Sequence, residues 1–174
     1  MQKIVIVDEQ DNQVRLEDKV VCHVGDGILH RAFSVFIFNN KRELLIQQRS
    51  KEKLLWPLFW ANTCCSHPSE GEDYQTAGQR RLQEELGFSC PLKLIGKFQY
   101  HAHYKDVGAE HELCSVLVGK YDGQVNASPE EVAATTWVNF EELKRELALN
   151  PRQYAPWFVL ELEQFFVEGF KNYA

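Results

Sequence analysis

The chain reads as a mixed α/β protein, with strands dominating its middle and helices closing its end. Three observations support this. Two pairs of apolar, strand-like segments flank a single polar stretch with helical periodicity. That helical stretch stops at a glycine. Two further helical stretches follow a last short strand. A length of 174 residues suits one domain, 1–174, with a core of its own.

Taken in order, residues 3–8, KIVIVD, read as a strand and DEQDNQ as the turn after it. Residues 31–39, RAFSVFIFN, form a strongly apolar strand. NK is its turn, and ELLIQQRS is expected to return as its hairpin partner. WPLFWANTCCSHP reads as loop and short strand, dense in aromatics. From Tyr74 to Leu86 small or apolar residues recur on one helical face, and Gly87 ends the pattern as a C′ glycine does. KLIGKFQYHAHYK and EHELCSVLVGKY are expected to pair as strands, and ATTWVNF adds a short one. FEELKRELAL and PWFVLELEQFFVEGF are amphipathic helices. No internal repeat, low-complexity segment or linker interrupts the series.

Composition narrows the function. Apolar residues at 44% and charged residues at 25% make an ordinary globular balance. A net charge of −6 argues against non-specific nucleic-acid binding while leaving room for a local basic pocket. The N-terminal MQKIVIVDEQDN turns acidic and does not read as a signal peptide. Apolar runs such as AFSVFIF are too short to span a bilayer. The expectation is a cytoplasmic protein, monomeric by default, with neither a membrane nor a nucleic acid as partner. The cysteines Cys22, Cys64, Cys65, Cys90 and Cys114 are odd in number, and thiols are their default state. Adjacent Cys64 and Cys65 would make a strained disulfide, and no CxxC pair suggests a four-cysteine zinc site. Buried thiols or one reactive thiol remain open.

The helix carries the first motif. Gly71-Glu72, Arg80, Leu82, Glu84, Glu85, Gly87 and Phe88 fall in register with the Nudix signature, which this segment resembles. A glycine turn feeding a helix with carboxylates a turn apart can hold a hard cation that bridges diphosphate oxygens. Two positions depart from it. Ser66 stands at the signature's first glycine, and Arg81 replaces the first glutamate of the box. A cation there suggests phosphate binding rather than a full hydrolytic metal cluster. On the strand GAEHELCS, Glu110 and Glu112 share one face while His111 takes the other. Two carboxylates on an apolar strand are costly to bury unless something neutralises them, and a metal would.

The segments LEDKVVCH, LHRAFSVFIFN, QQRSKEKLLWPLFWANTCCSHP, EELG, YHAHY, EHELC and YAPWFV occur in one order along nearly the whole chain. In that order they resemble the type I isopentenyl-diphosphate isomerase family, a branch of the Nudix fold. The resemblance implies an α+β domain with a Nudix-like mixed sheet sandwiched between helices. It implies one divalent metal, manganese, zinc or magnesium, on His23, His30, His67, Glu110 and Glu112. It implies Cys65 as the catalytic thiol, Glu112 with Tyr100 as the proton donor on the other face, and Trp157 over the cationic intermediate. Lys19, Arg49, Lys53, Ser66 and Arg81 would bind the diphosphate. A magnesium ion entering with that diphosphate would touch Glu85 and the Cys65 carbonyl. The implied activity turns isopentenyl diphosphate into dimethylallyl diphosphate, a small-molecule reaction of isoprenoid biosynthesis.

Chemistry alone would lower the pKa of a partly accessible thiol beside a metal and basic groups. Cys22, Cys64, Cys90 and Cys114 read as small buried hydrophobes, and His101, His103 and His111 as surface or hydrogen-bonded residues. Two other classes compete: a Nudix hydrolase of a nucleoside diphosphate derivative, and a non-enzymatic module with a structural zinc.

Overall fold

The computed structural model describes residues 2–165 together with Phe170 and Tyr173. Its strands are β1 (Lys3–Val7), β2 (Gln13–Asp18), β3 (His30–Phe38), β4 (Leu44–Arg49), β5 (Trp60–Ala61), β6 (Cys64–Ser66), β7 (Leu92–Tyr104), β8 (Gly108–Lys120) and β9 (Val132–Val138). The helices are α1 (Lys19–His23), α2 (Tyr74–Leu86), α3 (Phe140–Leu149) and α4 (Pro156–Phe165). The part of PWFVLELEQFFVEGF from 166 to 169 lies outside the described residues.

β3 organises the sheet. It runs parallel to β8 along its full length, from His30 opposite Glu112 to Phe38 opposite Lys120. Antiparallel β6 pairs with it through Phe33–Ser66, Ser34–Cys65 and Val35–Cys64. The hairpin expected between β3 and β4 forms only at its root, Phe38 with Leu44. β4 instead pairs with β9 and β5. The physical reason is burial: β3 is almost wholly buried, and a strand covered on both faces is served by parallel pairing inside the sheet. β7 and β8 form the long antiparallel hairpin, Tyr100 opposite Glu112 and His101 opposite His111. β2, the strand that pairs with β1, and the short helix α1 after it were not expected from the sequence.

Alternation along β3 divides the core in two. Phe33, Val35 and Ile37 face Ala77, Leu82 and Leu86 of α2. Ala32, Phe36 and Phe38 face Phe140 and Leu143 of α3 and Trp157, Phe158 and Leu162 of α4. Each large apolar side chain so buried contributes roughly 1.5–3 kcal/mol, and the sheet lies between helices on both faces. α2 starts on the Asp73 cap, whose carboxylate accepts from Thr76 N–H, and stops at left-handed Gly87.

Candidate metal centre and the cavity beside it

Five residues from four segments converge at one end of the sheet. His23 ends α1, His30 begins β3, His67 follows β6, and Glu110 and Glu112 lie on β8. All five are buried, and one ligand atom from each lies within 4.8 Å of the others. The His23–His30, His30–His67 and His23–His67 ring centroids are 4.8, 4.9 and 5.3 Å apart. The backbone sets the imidazoles: His23 Nδ1 bonds the Lys19 carbonyl and His30 Nδ1 the Ile28 carbonyl, each at 2.6 Å. Anchored through Nδ1, both rings turn Nε2 inward as a lone-pair donor. His23 Nε2 lies 2.9 Å from Glu110 Oε2, and His67 Nε2 3.3 Å from Glu112 Oε1. Buried His30 Nε2 makes no hydrogen bond of its own and faces Glu112 Oε1 at 3.5 Å. An orphaned nitrogen among five convergent donors fits a divalent metal, as buried polar groups otherwise find partners. Gly108 makes room for the centre. A Cβ there would sit 2.0 Å from the His23 carbonyl oxygen.

Charge follows from these contacts. Burial, with help from Lys19 and the other two histidines, drives His67 far below its ordinary pKa, so its ring is neutral. Burial opposes protonation of His23 too, but Glu110 outweighs it and the pKa rises. Burial would raise Glu112, yet His30 and the Tyr100 hydroxyl win and hold the carboxyl down. Tyr100 donates to Glu112 Oε2 at 2.6 Å. Burial, and then the Glu112 charge, push the phenol well up.

Beside the cluster opens a cavity of about 220 Å³. His23, His67, Glu110, Glu112 and Tyr100 line one part of it. Cys65, Ser66, Trp157, Lys19, Arg49 and Lys53 line the rest, together with Val20, Glu52, Leu54 and Leu55. The lowered thiol pKa expected of Cys65 supposes a metal beside it. Without a metal's charge, burial pushes this thiol up to about 12, despite opposing pull from Arg49. Arg49 Nη1 is 3.8 Å from its sulfur. The other Arg49 donors are committed to backbone, Nε to the Trp56 carbonyl at 3.0 Å and Nη2 to the Leu55 carbonyl at 2.8 Å. They brace a loop in which Trp56 and Leu58 hold positive φ. The guanidinium also sits 5.1 Å from the Trp157 ring centroid. Trp157 donates its indole N–H to Asn62 Oδ1 at 3.1 Å and packs edge-on to Trp56.

Arg81 and Glu85 stand apart from the cavity lining. Arg81 is spent on carboxylates: Glu85 Oε1 at 2.5 and 3.1 Å, Glu84 at 2.7 Å and Glu131 at 3.1 Å. Glu85 is buried and also accepts from Gln47 at 3.3 Å. Outside the site, His101 bonds the Asp26 carbonyl at 2.6 Å and stacks on His111 at 4.4 Å. All five cysteines are free, four of them buried. Sequence reasoning missed Gly108, Asn62, Gln47 and Glu131. None belongs to a motif, and only Gly108, at the turn of the hairpin, carried a local signal.

Comparison with known proteins gives one consistent result. The NUDIX domain model matches residues 28–158. Isopentenyl-diphosphate Delta-isomerase 1 of Photorhabdus laumondii is 44% identical over 163 residues, covering 92% of this chain and 93% of that protein. Isopentenyl-diphosphate Delta-isomerase of Serratia proteamaculans is 37% identical over 171 residues, covering 98% and 95%. Among solved structures, a Deinococcus radiodurans protein overlays with a TM-score of 0.70 at 19% identity, covering 86% of this chain and 90% of that one. A MutT protein from Methanosarcina mazei gives 0.66 at 21%, covering 82% and 96%. These two likenesses speak for the fold. No helix among the described residues is long and apolar enough to cross a membrane.

Proposed function

The chain belongs to the isopentenyl-diphosphate isomerase family of Nudix-domain proteins, and from that premise we propose that it interconverts isopentenyl and dimethylallyl diphosphate by a 1,3-allylic proton transfer. The observation that carries this reading is the shared cavity. Four of the five cluster donors (His23, His67, Glu110 and Glu112), a thiol, the tyrosine partner of Glu112 and three cationic side chains open onto one space of about 220 Å³.

His23, His30, His67, Glu110 and Glu112 would hold one divalent metal. Three nitrogens and two carboxylate oxygens suit manganese or zinc and also accept magnesium. When bound, that ion supplies the charge that neutralises two buried carboxylates and fixes Glu112 in place. Lys19, Arg49, Lys53, Ser66 and Arg81 take the diphosphate. Glu85 and the Cys65 carbonyl would hold the magnesium that accompanies it. Arg81 must loosen from Glu85 for both to happen.

The reaction needs a proton added to the terminal alkene carbon and another taken from the allylic carbon. Glu112, hydrogen-bonded to Tyr100 and first protonated from solvent because the free carboxyl is held down, gives the first, leaving a tertiary carbocation. Cys65, entering as thiolate, takes the second from the opposite face and restores a double bond one carbon along. Arg49 and Lys53 are the cations that favour the thiolate against its burial. The two groups finish with the proton exchanged between them, and solvent exchange resets the pair. Trp157 offers a π-face to the carbocation. Its contact with Arg49 shows that the indole already tolerates a cation at 5.1 Å. We further propose that the protein works as a cytoplasmic monomer.

The test is product analysis. Purified protein with isopentenyl diphosphate and a divalent metal should yield dimethylallyl diphosphate without phosphate release. Nucleoside diphosphate derivatives should remain intact. Phosphate release in place of isomer would turn the reading to a Nudix hydrolase.

A further inference from the structure

Glu131 lies in the turn that enters β9, and backbone bonds fix it there. Ser128 N–H donates to the Glu85 carbonyl at 2.8 Å, and Val132 N–H to the Ser128 carbonyl at 2.9 Å. The carbonyl of Glu131 itself accepts from Ser50 N–H at 3.0 Å. The carboxylate therefore has a set place between two elements. One oxygen accepts from Lys53 Nζ, in the loop after β4. The other accepts from Arg81 Nη2 at 3.1 Å, on α2. Lys53 lines the cavity and Glu131 does not. The carboxylate backs its lysine from outside the space a ligand would fill.

Lys53 has reason to be held. Lys19 lines the same cavity, and its pKa is pushed down by burial first and by the Lys53 charge second. Two ammonium groups share a small space and repel. A lysine on a flexible four-carbon stem turns to water when nothing fixes it. Glu131 supplies the opposing attraction, and the ammonium keeps two of its three N–H groups for another acceptor.

We propose that Glu131 is a positioning residue for diphosphate, holding Lys53 and Arg81 so that both meet one anion. This inference rests on the diphosphate reading above. A carboxylate among cations can also compete with an incoming anion. Its pairing decides for positioning: both oxygens are already committed, one to Lys53 and one to Arg81, and it is Lys53, not Glu131, that reaches the cavity.

The experiment is calorimetric binding of inorganic pyrophosphate with magnesium to the intact protein, its Glu131→Gln variant and its Glu131→Asp variant. Glu131→Gln should weaken pyrophosphate about tenfold, on the order of 1.4 kcal/mol, and Glu131→Asp should recover part of that. The KM for isopentenyl diphosphate should rise by the same factor at unchanged kcat, with the metal content of the histidine cluster unchanged. Pyrophosphate bound equally or more tightly by Glu131→Gln would overturn the proposal. So would a fall in kcat at unchanged KM. Should Glu131→Gln fail to fold, Glu131→Asp carries the test alone, with an intermediate loss expected and full affinity contradicting it. Pyrophosphate binding needs no turnover. A wild-type protein that binds it but forms no isomer would refute the isomerase reading and leave the Glu131 result standing.

Discussion

The two ends of the cavity are built on opposite plans. At the histidine end, backbone carbonyls fix His23 and His30 through Nδ1, and His30 Nε2 is left buried with no hydrogen-bond partner. At the cationic end most charges are already answered: Arg81 by Glu84, Glu85 and Glu131, Lys53 by Glu131, Arg49 by two carbonyls. At one end the imidazoles are fixed by backbone and face carboxylates that leave His30 Nε2 without a hydrogen bond. The other has its partners and must rearrange to accept a new one. A resident metal suits the first plan, and an anion that comes and goes suits the second. Cys65 stands between them, 3.8 Å from Arg49 and two residues from His67.

The largest expected effect is at that junction. Cys65→Ala or Cys65→Ser should cut turnover by at least the roughly 10²–10⁴-fold that a positioned acid–base group contributes, with the fold intact by circular dichroism. Cys64→Ala should keep most of the activity, since Cys64 is wholly buried in the cluster with α2. The reverse pattern would place the reactive thiol one residue earlier.

At the histidine end, metal and proton roles should separate. His67→Ala should lose the metal. Glu112→Gln should keep an oxygen ligand and yet be inactive, which metal analysis beside a turnover assay will read. A metallated and active Glu112→Gln protein would remove Glu112 from the proton path. Gly108→Ala tests the rigidity itself. With 2.0 Å to the His23 carbonyl, the added methyl must shift backbone. Chelator competition should show metal affinity lowered by about 10–100-fold, as for lost support of a ligand. Unchanged affinity would show that the end of α1 yields freely.

At the cationic end smaller effects are expected. Arg81→Glu should raise KM roughly tenfold, by loss of one charge-assisted contact of about 1.5–3 kcal/mol and added repulsion. It should not release phosphate from nucleoside diphosphates. The smallest effect is in stability. Burial would raise the Glu131 pKa, but Lys53 and Arg81 outweigh it and lower it from 4.5 to about 2. A depressed carboxylate stabilises the fold above its unfolded pKa, and that contribution fades as pH falls through the folded one. The urea-unfolding difference between wild type and Glu131→Gln should thus be constant above pH 4.5 and shrink between 4.5 and 2. A difference independent of pH would mean that the pairing adds nothing to stability.

The same contrast explains what the sequence could say. The α2 boundaries, Tyr74–Leu86 with Gly87 beyond, were legible because periodicity and a C′ glycine are local. Likewise, Glu110 and Glu112 share a face by the two-residue period of a strand. The β3–β4 hairpin was misjudged because NK reads as a turn, while pairing of β3 with β8 depends on contacts some eighty residues apart. His23, His30 and His67 were assembled only through resemblance to a family, because no spacing rule joins a helix end, a strand start and a loop. The burial that raises the Cys65 thiol was not legible, because burial is a property of the fold, not of neighbours in sequence. Glu131 was invisible for the same reason: Arg81 and Lys53 lie 50 and 78 positions away from it along the chain.

The most direct test of the central claim, that this cavity moves a proton across an allylic diphosphate, is an NMR time course of isopentenyl diphosphate with the metal-loaded protein in deuterated water. Dimethylallyl diphosphate should appear with deuterium in a terminal methyl group, the diphosphate phosphorus signals should stay those of an intact diphosphate, and Cys65→Ala should show neither isomer nor label. Inorganic phosphate in the phosphorus spectrum, or an isomer formed equally by Cys65→Ala, would contradict it.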